Sequence, residues 1–164
     1  MPICPIEHSF FHKAENFGYV IAESRAPFAG SLRGETNTMF NHVFVGTNDV
    51  AAARKFYNAT MTVLGHAGHD MPHGTAYPSE HGSFVVATPA NGEAATCMNG
   101  FTFGFRAADY DQVEAWHAAG LANGGTDAGA PGFRENSPGN MYGAYLRDPD
   151  GHKLCAYAVN TGPR

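Results

Sequence analysis

Nine histidines and three cysteines supply most of the groups in this chain that could hold a metal or act as nucleophiles. His66, His69, His73 and His81 gather in one segment, but their spacing matches no standard ligand motif, and a metal site needs convergent geometry as well as suitable side chains. Cys4, His8 and His12 stand at the interval that aligns side chains on a helix. Pro2 and Pro5 interrupt that turn, so the spacing reads as accidental. Cys155 stands alone in Lys153-Leu154-Cys155-Ala156-Tyr157. Such a cysteine is buried filler, a metal ligand or a thiolate nucleophile, and the last role requires a positive neighbour that lowers its pKa. Arg106 shares the period-two face of Thr102 and Gly104. It reads either as that positive neighbour, as a binder of an acidic substrate or as a solvated strand-end arginine.

The rest of the composition narrows the classes. A chain of 164 residues is long enough for one domain, and 43% hydrophobic residues with 12 Phe and 7 Tyr can fill a core without disulfides. Ten Lys and Arg against 15 Asp and Glu give a formal charge of −5, and no basic run exists to track a phosphate backbone, so nucleic acid is not an expected partner. No apolar stretch approaches the roughly 18 residues of a membrane span, and no basic-then-apolar leader opens the chain, so the expected location is cytoplasmic. An odd number of widely separated cysteines reads as reduced thiols. Asn58-Ala59-Thr60 matches a glycosylation acceptor, but it falls within an expected helix and is taken as chance.

The elements that must position these residues follow from periodicity. Residues 1–38 are interrupted by Pro2, Pro5, Pro27, Gly30 and Gly34 and read as an N-terminal extension. From residue 39 onward one domain is expected, built of two repeats at about 39–98 and 99–161. Phe40 to Gly46 reads as a strand. A helix follows, capped by Asn48 or Asp49 and carrying Val50, Ala53, Phe56 or Tyr57, Met61 and Leu64 at three-to-four spacing until Gly65. Phe101 to Phe105 reads as a second such strand, and Asp109 opens a helix with Val113, Trp116, His117 and Leu121 on one face. The two units match at an offset of 60 residues, Asp49 falling on Asp109 and Phe56 on Trp116, which is the signature of an internal duplication. Shorter strands are expected after each helix: near 66–70, 74–77 and 83–88 in the first half, and at 141–147 and 153–159 in the second. Asp148-Pro149-Asp150-Gly151 joins the last two as a hairpin turn. Each half is then β-α-β-β-β.

That doubled pattern, with FNHVFV running into NDVAAARKFY and with YGAYLRDPDGHKLCAY near the end, resembles the glyoxalase, bleomycin-resistance and extradiol-dioxygenase superfamily, the vicinal oxygen chelate proteins, over about residues 39–161. The resemblance implies an α+β fold of two βαβββ modules forming a curved mixed-sheet half-barrel that cups a small organic molecule. It also implies ligand positions for a divalent metal such as zinc, nickel, manganese or iron. His42 takes the first-strand position and Thr102 its counterpart 60 residues on. Cys155 takes the last-strand place, where the family norm is Glu, and Val86, the matching place in the first half, cannot coordinate. Tyr77, Tyr142 and Tyr145 are candidates for the cup lining, with Arg106. Two functions stay open on these residues. One is a metal-dependent lyase, isomerase or dioxygenase using His42, Cys155 and Thr102, although the usual carboxylate base is missing. The other is a metal-free, drug-sequestering binding protein. A homodimer is expected under either.

Overall fold

A computed structural model describes residues 40–164; the expected extension, with Cys4, His8 and His12, lies outside the described residues. The first module runs through strand β1 (His42–Gly46), helix α1 (Val50–Val63) and strands β2 (His69–Met71), β3 (Gly74–Ser79) and β4 (Gly82–Ala87). The second runs through β5 (Phe103–Arg106), α2 (Tyr110–Ala122), β6 (Thr126–Phe133), β7 (Tyr142–Arg147) and β8 (Lys153–Ala158). Each makes a four-stranded sheet of the same order, β1-β4-β3-β2 and β5-β8-β7-β6, in which only the first strand runs parallel to its neighbour. The fold is α+β, as the repeat implies, and the two sheets do not close into a barrel.

Both helices start and stop for the same reasons. Asp49 accepts hydrogen bonds from the backbone N–H groups of Ala51 and Ala52 at 2.9 and 3.0 Å, and Asp109 accepts from Gln112 at 2.8 Å, satisfying donors the helix itself leaves free. At the other end Gly65 and Gly124 take left-handed φ angles of 86° and 102°. The following residues close the last turn, His66 N–H onto Met61 O and Gly125 N–H onto Gly120 O, both at 2.9 Å. The second helix is one residue shorter, 13 against 14. Its buried stripe is also narrower: Val113, Trp116, His117 and Gly120 face inward while Leu121, expected with them, is 43% exposed.

One strand was not legible. β6 reads Thr-Asp-Ala-Gly-Ala-Pro-Gly-Phe, without β-branched alternation, yet it pairs with β7 through two register irregularities around Gly129 and Gly132. An edge strand tolerates the proline and the bulges because one side needs no partner.

The core is shared by the modules. Phe56, Tyr57, Val113, Trp116, Leu146 and Leu154 are fully buried. The inner faces of the sheets meet where Phe84 stacks on Phe103 at 5.3 Å and meets Phe105 edge-on at 5.2 Å. The Asp148–Gly151 turn closes the β7–β8 hairpin with Gly151 at φ 92°. It also ties the modules together: Tyr57 Oη donates to Asp148 Oδ2 at 2.6 Å, and Asn48 N–H donates to Asp150 Oδ1 at 2.9 Å. Among the described residues no helix is long and apolar enough to cross a membrane.

Candidate functional site

Strand alternation decides which residues each sheet offers to solvent or ligand. In the second sheet Phe103, Phe105, Leu154, Ala156, Ala144 and Leu146 turn into the core. The register pairs Gly104 with Cys155 and Tyr145, Arg106 with Tyr157 and Gly143, and Lys153 with Arg147, so these residues form the opposite, open face. Gly104 is the floor of that face: a Cβ built there meets only Cys155 Sγ, at 3.2 Å. Tyr157 lies over Gly143, where a Cβ would be 2.4 Å from its ring. Its hydroxyl meets that of Tyr145, and the two rings stand nearly perpendicular at 5.9 Å.

Two cations flank this aromatic pair. Lys153 Nζ lies 4.6 Å and Arg134 Cζ 5.2 Å from the Tyr145 ring centroid, both within cation–π range. Arg134, in the β6–β7 loop, donates to the carbonyls of Gly129, Ala130 and Gly143, while its Nε is buried without a partner. A groove of about 510 Å³ opens here, lined by Phe133, Arg134, Glu135, Ser137, Tyr145 and Tyr157. That volume lies within the range that holds small organic molecules.

The thiol of Cys155 sits at the centre of the open face but is itself 5% exposed. Burial pushes its pKa from 9.0 up to about 11, and the opposing pull of Lys153 and Arg134 does not offset it. The free thiol is therefore protonated at neutral pH and is not poised as a nucleophile. Burial and the Tyr145 hydroxyl likewise hold the Tyr157 hydroxyl in its neutral form. Among strand residues of this face there is no carboxylate; Glu135, exposed in the loop, reaches the groove from its side.

The remaining candidates distribute as follows. His42 is exposed on β1 with Nδ1 3.0 Å from Asn41 Oδ1, on the open face of the first sheet with Phe44, Ser83 and Val85. The register pairs Val85, not Val86, with Phe44 on that face; Val86 is 1% exposed and turned into the core, a one-residue difference that reverses the side. Thr102 is exposed immediately before β5, and Arg106 is exposed at the end of that strand. Tyr77 and Tyr142 both lie on inner faces. Tyr77 packs against Tyr57 and Phe84 and donates to Asn58 Oδ1 at 2.7 Å. Tyr142 stacks on Tyr110 and donates to Glu114 Oε1 at 2.7 Å. A small cleft of about 160 Å³ lies where β1, β3 and β4 meet β5, lined by His42, His66, Tyr77, His81, Phe84 and Phe103, and its volume is below that of a typical ligand site.

These positions do not fit a catalytic metal. Thr102 offers a weakly coordinating hydroxyl and Val85 has no donor, which leaves His42 and Cys155 as the firm donors of the set. A catalytic site ordinarily needs three firm protein ligands. Among the described residues no three His, Cys, Asp or Glu side chains converge on one point. Lys153, Tyr157 and Arg134 are the site residues that sequence reasoning passed over. The first two were signalled by period-two alternation about Cys155; Arg134 carried no signal, since the strand before it was unread.

The comparisons with known proteins agree with this architecture. Residues 39–156 match the family model described as Glyoxalase/Bleomycin resistance protein/Dioxygenase superfamily. A crystal structure of a glyoxalase/bleomycin resistance protein from Albidiferax ferrireducens T118 is 48% identical, covers 73% of this chain and 98% of its own, and superposes with a TM-score of 0.70. A glyoxalase-related enzyme from Fulvimarina pelagi is 19% identical over 76% of this chain and 90% of its own, with a TM-score of 0.61. A lactoylglutathione lyase from Agrobacterium tumefaciens is 18% identical over 76% and 96%, with a TM-score of 0.52; these last two likenesses are of fold alone. No curated protein matches the chain.

Proposed function

The chain belongs to the glyoxalase/bleomycin resistance protein/dioxygenase superfamily, and on that premise we propose that it binds a small organic molecule on its open sheet faces without a metal centre at His42, Thr102 and Cys155. The observation that carries this reading is the donor set: of the four family positions, Thr102 offers only a hydroxyl and Val85 no donor, so His42 and Cys155 fall short of the three firm ligands a catalytic metal ordinarily takes. The same open face supplies aromatic walls and a groove of suitable size but, on its strands, no carboxylate base for the proton transfers of a lyase or isomerase.

The ligand is enclosed by a second copy of the chain. Within one chain the inner faces of both sheets meet in the shared core, so the open faces lie outside it, and Phe44 on the first is 48% exposed. A two-fold dimer that sets the first sheet of one copy over the second sheet of the other covers both faces twice.

Elemental analysis of protein purified without chelators, paired with sedimentation for the dimer, tests this. The expected result is metal well below one per chain and a two-chain species. Stoichiometric zinc, nickel, manganese or iron that disappears in His42→Ala overturns the metal-free reading in favour of a metal-dependent lyase, isomerase or dioxygenase.

A further inference from the structure

We infer that the ligand of the second sheet's open face is an organic anion, a carboxylate or phosphate on an aromatic or otherwise apolar body, with Arg106 and Lys153 as its charge partners above the Gly104 floor. This rests on the small-molecule reading above and names the chemistry the site selects. Four of the cations in the described residues, Arg106, Arg134, Arg147 and Lys153, belong to this one face or its rim. Among the described residues none of the four pairs with a carboxylate. The ion pairs that exist use Arg54 with Asp70, His117 with Asp127, and Arg164 with Asp111 and Glu114, all elsewhere in the fold.

In a chain with a formal charge of −5, cations gathered on one face without acidic partners create a local field opposite to that of the whole protein. Arg147 is tied to the Gly151 carbonyl and Arg134 to three carbonyls, so both are held as fixed positive charge rather than as mobile arms. Arg106 and Lys153 make no side-chain hydrogen bond with other described residues and keep their donors free for a ligand. They flank Gly104 and Cys155 from opposite ends of the paired strands, Arg106 two residues beyond Gly104 and Lys153 two before Cys155. Over the floor between them nothing but the thiol fills the space a side chain would occupy. The perpendicular Tyr145 and Tyr157 rings provide the wall for the ligand's apolar body. Glu135, exposed in the loop, is the acid lining the groove beside Tyr145 and Tyr157, and it disfavours an anion placed at that end. A guanidinium at one end of this floor and an ammonium at the other are the kinds of donor that recognise carboxylate or phosphate.

The test titrates the full-length protein with benzoate, phenyl phosphate, benzamide and benzylamine, following backbone amide shifts and calorimetric affinity. Benzoate and phenyl phosphate are expected to bind about ten times more tightly than benzamide, to move the Gly104 and Cys155 amides, and to weaken at least severalfold between low and high salt. Arg106→Gln and Lys153→Gln are each expected to lower the affinity of both anions severalfold and to shrink the anion-to-benzamide ratio toward one, with the melting temperature showing that each variant is folded. The relative strength of the two anions assigns carboxylate or phosphate. Equal binding of benzamide or benzylamine, or anion binding indifferent to both substitutions, overturns the inference and leaves the small-molecule reading standing. Absence of binding by every probe, together with unperturbed amides on this face, overturns both.

Discussion

Cys155 gives the sharpest quantitative consequence of the fold. Its side chain is buried between the Gly104 floor and Tyr145, and desolvation raises its pKa from 9.0 to about 11. Since only the thiolate is alkylated, two pKa units mean about 100-fold less reactive species at pH 8 than a thiol of ordinary acidity would have. Restricted access slows the reaction further. Iodoacetamide labelling followed by peptide mass spectrometry resolves Cys155 from Cys97, which is exposed in the same chain and serves as the accessible comparison. The expected rate for Cys155 is at least about 100-fold below that of a free small-molecule thiol at pH 8 and rises with pH without an inflection before pH 10. Lys153→Gln, which removes a charge that favours the thiolate, is expected to slow it again. Labelling of Cys155 as fast as Cys97 at pH 7 to 8, or an inflection near pH 8, would refute the assignment of a neutral buried thiol and reopen its role as nucleophile.

Other consequences are structural. Tyr57→Phe removes the 2.6 Å hydrogen bond to the buried Asp148 carboxylate and is expected to cost about 1.5–3 kcal/mol in urea unfolding; a change below about 0.5 kcal/mol would mean that the turn is held by its other bonds. Gly120→Ala places a Cβ 2.2 Å from Leu146 Cδ1 and 3.2 Å from Phe56 Cε2. Overpacking of about 1–3 kcal/mol outweighs the gain of about 1 kcal/mol in helix propensity, so its melting temperature should fall, and a rise would show that the core can yield there. Asp127 is held below the usual carboxylate range first by its hydrogen bond with His117 and then by Gly129 N–H. Its contribution is present above its unfolded pKa of 3.8 and is lost as pH falls through the lower folded value. Asp127→Asn should therefore flatten the acid limb of a stability–pH profile, and an unchanged slope would contradict the assignment.

The parts of this fold written in local chemistry were legible. Asp49 and Asp109 sit where a cap is needed, Gly65 where a left-handed residue ends a helix, and the Asp148–Gly151 turn between two apolar strands. Each is dictated by a few neighbouring residues. What escaped depended on longer-range facts. The β6 strand is held by its pairing with β7, not by the propensity of its glycines and proline. Tyr77 and Tyr142 belong to strands correctly located, but the faces on which they fall depend on register, and a slip of one residue turns a cup-lining tyrosine into a core one. The same slip separates Val86 from Val85. Cys155 was identifiable as a residue of consequence, yet its protonation follows from burial among distant strands, which no local pattern announces.

The central claim is that the open faces hold their ligand without a metal, and the direct measurement is calorimetric titration of one anionic probe, benzoate, into protein before and after exhaustive dialysis against a chelator. The dissociation constant is expected to agree within about twofold between the two samples, a difference of about 0.4 kcal/mol. A loss of affinity of tenfold or more that zinc, nickel, manganese or iron restores would contradict it.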